Sequence, residues 1–250
     1  MKAPKAPVIP TPPQYRQLDH PRILSTLTRL RERITERFPD SGLSRVAGEL
    51  LTLSTEVAAF VEYAQRPRWP IRLGASAAII AMAAVVLFVV GSLKLSPGIE
   101  RVADLLQAVD AALSSLVFLG ATAFFLLTLE TRLKRRKALA ILHQLRSVAH
   151  VVDMHQLTKD PERILSPQLD TASSPARSMT GPELGRYLDY CSELLSVISK
   201  LAALHVQYFN DPVTLAAVND IESLTTGLSS KIWQKINLLE SARRSASFPP

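Results

Sequence analysis

Five histidines and a single cysteine carry most of the versatile side-chain chemistry in this 250-residue chain, and three of the histidines fall within one short run. On a helix, His143, Arg146, His150 and Asp153 of that run share a stripe. His150 and Asp153 are three residues apart, close enough to orient one another or to share a metal ion. His143, His150 and Asp153 are therefore the candidates for general acid–base catalysis. A metal site would draw on His150, Asp153, His155 and His205, the last two on apolar seams that would turn them toward a helical interior.

Other patterns weigh against an enzyme. The chain has no His-Glu-x-x-His, no second cysteine to complete a pair, no repeated Glu-x-x-His of the di-iron type and no Gly-x-Ser-x-Gly elbow. Nine glycines form no phosphate-cradling loop. No cofactor is expected. The polar stripe reads first as a solvated or interacting helix face, with Arg146 on it. Tyr187 and Trp233, the latter inside Lys231-Ile-Trp-Gln-Lys235, are the expected aromatic anchors for a protein partner. Cys191 has no basic neighbour on its own helix and reads as a small buried apolar residue.

The elements that must position these residues are helical. Two stretches, 73–93 and 111–129, contain no charged residue and are each long enough to cross a hydrocarbon layer of ~30 Å at ~1.5 Å per residue. Basic residues flank them on the outer sides: Arg66, Arg68 and Arg72 before the first, Arg132, Lys134, Arg135, Arg136 and Lys137 after the second. The connection from Lys94 to Asp110 carries only Lys94 and Arg101 against Glu100, Asp104 and Asp110. The positive-inside rule then places both termini in the cytoplasm and the connection outside, with Trp69 at the lipid interface. Much of the net charge of +7 sits at these flanks, facing anionic headgroups rather than nucleic acid, since no basic stripe with interleaved aromatics follows. Residues 1–16 hold five prolines and no apolar core of a signal peptide, so the first span is expected to act as an uncleaved anchor. These features fit a multi-pass protein of a bacterial inner (plasma) membrane.

The expected organisation is a Pro-rich tail (1–18), an N-terminal helical hairpin (19–66), a transmembrane hairpin (73–129), a C-terminal three-helix region (130–241) and a short tail (242–250). In the hairpin, Ile23, Leu27, Leu30 and Ile34 align on one face, followed across Pro39-Asp40-Ser41-Gly42 by a heptad-like seam of Leu43, Val46, Leu50, Leu53, Val57 and Phe60. Pro67 and Pro70 are expected to break the chain before the first span, and Ser96-Pro97-Gly98 to turn it after. With no Pro or Gly from Ala121 to Asp160, the second span is expected to run on as one helix from about Ala111 to Lys159, roughly 70 Å. It carries a seam at Ile141, Leu145, Val148, Val152 and His155. Asp160-Pro161 ends it and starts a short helical turn, and 166–180 is read as a loop.

Thr180-Gly181-Pro182-Glu183 is a capping box opening a helix with Leu184, Leu188, Cys191, Leu195, Ile198, Ala202 and His205 on its seam. Asn210-Asp211-Pro212 closes that helix and caps a last one bearing Val218, Ile221, Leu224, Leu228, Ile232 and Leu239. No segment alternates with period two. The fold class is thus all-α: a two-span hairpin continuous with a cytoplasmic bundle of about five helices. Small residues on the first span (Gly74/Ala78, Ala77/Ala81) would permit close packing on the second span or on another subunit. The favoured function is a membrane-anchored scaffold, signalling or interaction module, forming homo-oligomers and recruiting a cytoplasmic protein partner. A metal-dependent enzyme built on His143, His150 and Asp153, and an oligomeric channel or transporter component, are the alternatives.

Overall fold

In this computed structural model the described residues are 16–94, 102–161 and 179–247, and their secondary structure is entirely α-helical. Six helices lie among them: α1 (His20–Arg37), α2 (Gly42–Gln65), α3 (Trp69–Lys94), α4 (Val102–Leu157), α5 (Gly181–Tyr208) and α6 (Pro212–Ser247). They divide into two compact units, one made of residues 1–65 with 138–250 and the other of 66–137. The boundary falls inside α4, so that helix contributes to both.

The larger unit has one contiguous core. α1 opens with Pro21 in its first turn, where a missing N–H costs nothing, and all four apolar residues of its expected stripe are buried. It stops at Phe38, whose N–H donates to the Ile34 carbonyl, and Asp40 takes a left-handed φ of 55° that reverses the chain. Ser41 then accepts from Ser44 N–H at 3.1 Å, capping α2. The six expected seam residues of α2 are buried, Leu43, Leu50, Val57 and Phe60 completely.

α5 is the central helix. Besides its expected seam, it buries Tyr187, Tyr190, Leu194, Val197, Leu201 and Leu204, because α1, α2 and α6 all pack around it. Its capping box forms: Glu183 N–H donates to Thr180 Oγ1 at 3.4 Å and Thr180 N–H to Glu183 Oε2 at 2.7 Å. Asp211, buried, caps α6 by accepting from Thr214 N–H and from its hydroxyl, each at 3.0 Å. The α6 seam is buried as expected, apart from the half-buried Leu224. α4 contributes Ala138, Ile141, Leu142, Leu145, Ala149 and Val152 to the core, and Val148 is partly covered.

The smaller unit consists of α3 and the first part of α4. Both helices are long and apolar enough to cross a membrane: their most apolar 18-residue windows have mean hydropathies of 2.2 and 1.8, with 6% and 0% buried. A core helix of a water-soluble protein would be mostly covered. Here Leu73, Ile80, Phe88, Leu116, Phe118 and Phe124 all stand exposed.

Several boundaries differ from the sequence expectation. α3 begins at Trp69 and takes Pro70 into its first turn, so only Pro67 falls in the break. α4 begins at Val102, not near Ala111, and ends at Leu157, short of Lys159. Ser96-Pro97-Gly98, the short turn after Pro161 and nearly all of the 166–180 loop lie outside the described residues, as does most of the Pro-rich tail. The small-residue faces also differ. Gly74, Ala77, Ala78 and Ala81 are exposed, while the less exposed stripe of α3 is Ala75, Ile79 and Met82. A Cβ added at Gly74 or Gly120 would meet nothing within 4 Å, so among the described residues neither glycine serves a close approach.

Candidate functional site

The polar stripe of α4 does not form a site with the other histidines. His143, Arg146 and His150 are exposed. Asp153 instead accepts from Gln156 Nε2 at 2.6 Å on its own helix. Among the described residues no three His, Cys, Asp or Glu side chains converge to hold a metal ion.

His155 and His205 turn inward as their seam positions require, but to different places. His155, half-buried, lies against Gly42 at the start of α2, beside a small cavity of about 260 Å³ shared with Arg45, Val46 and Val148. His205 is fully buried and stacks on Phe60, with ring centroids 4.8 Å apart and planes inclined by 22°. Gly42 and Phe60 are eighteen residues apart on α2, or about 27 Å. The two imidazoles therefore occupy opposite ends of the bundle and cannot share a ligand, which corrects the expectation that they meet.

The chemistry of His205 follows from its surroundings. Its Nδ1 lies 3.1 Å from the Leu201 carbonyl, which can only accept, so Nδ1 carries the proton. Nε2 is buried with no partner. A second proton there would be a bare charge among apolar side chains, and burial lowers the pKa to about 4 despite the backbone hydrogen bonds that oppose it. The same effect raises the Cys191 thiol to about 12, leaving it unreactive at neutral pH.

Tyr187 is not available to a partner. It is buried, packs edge-on against Phe38 at 5.3 Å and lies beneath the Lys159 ammonium at 5.5 Å, and burial raises its pKa. Trp233 has the opposite fate. It is 60% exposed and, with Gln234, closes one end of a groove of about 570 Å³ between α5 and α6. Hydroxyl residues dominate the walls, Ser192, Ser196 and Ser199 on α5 and Thr226 and Ser229 on α6. Ser192, Ser199, Thr226 and Ser229 make no side-chain hydrogen bond to another described residue.

Sequence reasoning did not find this groove, because each wall reads as an ordinary solvated face and only the pairing of α5 with α6 joins them. Nor did it find Lys235. Its ammonium donates to the carbonyls of Gln156 (2.9 Å) and Lys159 (3.2 Å), satisfying the carbonyl end of α4. Burial lowers its pKa although Asp160 and Asp153 pull the other way.

Within the smaller unit the expected flanking residues form a polar clasp. Glu130 accepts from Arg72 Nε at 2.8 Å and from Lys134 Nζ at 2.9 Å, and Lys134 also donates to the Arg66 carbonyl at 3.3 Å. The Arg72 hydrogen bond leads in holding the Glu130 carboxyl down to about 2. Lys134 is buried, so this member of the basic flank is structural. Arg132 bonds the Thr128 hydroxyl at 3.2 Å and lies over the Phe125 ring, Arg136 is exposed, and Arg135 and Lys137 are engaged within the chain. Trp69, at the head of α3, is 64% exposed.

Comparison with protein-family models, curated proteins and solved structures finds no match to this chain. Fold and local chemistry therefore define the class: an all-α helical bundle that carries two helices long and apolar enough to cross a membrane.

Proposed function

We propose that this chain is an integral membrane protein of a bacterial inner membrane whose helical bundle serves as a cytoplasmic interaction module, in effect a membrane-anchored scaffold or signalling partner. The observation that carries the reading is the pair of 18-residue apolar windows left 6% and 0% buried. Exposing that much contiguous hydrocarbon to water is something soluble proteins avoid, and lipid is the solvent that suits it. The basic excess of the outer flanks over the 94–110 connection supports cytoplasmic termini and contact with anionic headgroups. Homo-oligomerisation is part of the proposal: Gly74 and Gly120 face open space, which supports a second copy approaching there.

Cysteine labelling in intact cells tests the topology, because the native Cys191 is buried and silent toward a maleimide. Cysteine introduced by Ser96→Cys is expected to react with a membrane-impermeant maleimide from outside. Cysteine introduced by Lys231→Cys is expected to react only after permeabilisation. Extraction of the protein by alkaline carbonate without detergent would end the membrane reading. Crosslinking in native membranes that gave only monomer would end the oligomer part.

A further inference from the structure

The groove between α5 and α6 has three properties of a docking site for an extended peptide: an exposed indole, an adjacent amide at Gln234, and four hydroxyls (Ser192, Ser199, Thr226 and Ser229) with no side-chain partner among the described residues. Its volume of about 570 Å³ lies within the ordinary range of ligand sites. A polyproline II strand makes no internal hydrogen bonds, so each of its carbonyls seeks an outside donor, and its proline rings seek an aromatic plane. Trp233 Nε1–H, the Gln234 amide and the serine hydroxyls are donors of that kind.

The chain's own N-terminal segment is rich in proline, and its attachment point lies nearby. Leu18 is held by a pair of bonds to one side chain: its N–H donates to Gln207 Oε1 at 2.8 Å and its carbonyl accepts from Gln207 Nε2 at 3.0 Å. This anchor is on α5 itself. From Gln207, Ser199 and Ser192 lie about 12 and 22 Å back along the helix. Seventeen residues precede Leu18, with prolines at 4, 7, 10, 12 and 13. Arg16 and Gln17 form a bend, so at about 3.1 Å per residue in polyproline II form the reach from Leu18 is at most about 16 Å for Pro13 and about 25 Å for Pro10. That reach is long enough to cover the groove as far as its Trp233 end. We propose that the proline-rich segment before Arg16 docks in the α5/α6 groove, with Ile9-Pro10 on the Trp233 indole. The inference does not depend on membrane insertion.

The tether sets the affinity required. A short flexible link gives an effective concentration on the order of 1 mM, so a free-peptide Kd of about 0.1 mM keeps the segment docked in roughly nine molecules of ten. The full-length chain in detergent tests this directly. Trp69→Phe leaves Trp233 as the sole tryptophan, and acrylamide quenching then reports its accessibility. In that background, Pro10→Asp with Pro13→Asp is expected to raise the quenching constant about twofold, the indole passing from covered to its 60% exposed state. A synthetic peptide of residues 1–17 added to the Pro10→Asp/Pro13→Asp chain is expected to restore the lower constant with a Kd near 0.1 mM. Adding Ser199→Lys to that same chain is expected to weaken the peptide at least tenfold. Equal quenching with and without the proline substitutions, or no peptide binding at 1 mM, would overturn the proposal. So would quenching that falls with protein concentration regardless of the proline substitutions, since the occupant would then be a second copy.

Discussion

His205 offers the sharpest test of the core. It is fully buried, its Nδ1–H is committed to the Leu201 carbonyl, and its Nε2 has no partner. In the unfolded chain the imidazole titrates near 6.5, and in the fold near 4. Above pH 6.5 both states are neutral and the group has no effect on stability. As the pH falls from 6.5 toward 4, the unfolded chain takes up the proton and the folded chain does not, so stability drops by about 1.4 kcal/mol per pH unit. The loss reaches about 2 kcal/mol at pH 5 and levels off near 3 kcal/mol below pH 4. His205→Phe keeps a ring against Phe60 and removes the orphaned nitrogen, so at pH 7.5 it is expected to be neutral or mildly stabilising. Guanidinium unfolding of both full-length chains in mild detergent, followed by circular dichroism at pH 7.5 and pH 5, measures the difference. Carboxylates and the other histidines titrate alike in both and cancel. The wild-type chain should lose about 2 kcal/mol more than the variant between the two pH values. An equal loss in both would show that the proton binds elsewhere and refute the assignment of His205 as a buried neutral imidazole.

Three further outcomes are expected of the same unfolding assay. Thr180→Ala removes the hydroxyl that accepts from Glu183 N–H, the side-chain half of the capping box at the head of α5, and should cost about 1 kcal/mol. Lys235→Met keeps the apolar stem but frees the carbonyls of Gln156 and Lys159, again costing about 1 kcal/mol. Gly42→Ala places a methyl against the His155 ring, so it should destabilise the wild-type chain but not the His155→Ala chain. The double-mutant cycle should return a coupling above about 0.5 kcal/mol, and additivity would mean that His155 swings aside freely.

The periodicity of the sequence carried the helices and most of the core. The stripes of α1, α2 and α5 were readable as spacings of three and four, and every residue on them is buried. Periodicity gives a helix its inward face, yet it does not rank helices by depth. On α5 the residues Tyr187, Tyr190, Leu194, Val197, Leu201 and Leu204 form a second apolar stripe beside the first, and that doubling was the available sign of a helix covered on several sides. Tyr187 is of the aromatic type that anchors partners, yet its place on this second stripe turns it into the core. The starts of α3 and α4 were misplaced because charge marked where lipid would begin, whereas backbone geometry continues helically through Trp69-Pro70 and through 102–110.

The histidines show most plainly what a linear pattern withholds. His155 and His205 occupy equivalent seam positions, and both turn inward as that position requires. Their chemistry diverges because α2 presents a bare glycine to one and an aromatic face to the other, at points about 27 Å apart. The same holds for the hydroxyl groove, whose walls are two unremarkable polar faces until α5 and α6 pair. Burial is a property of one helix and is legible from its own spacing. A site is a property of two helices brought together, and here the groove exists only because α5 packs along α6.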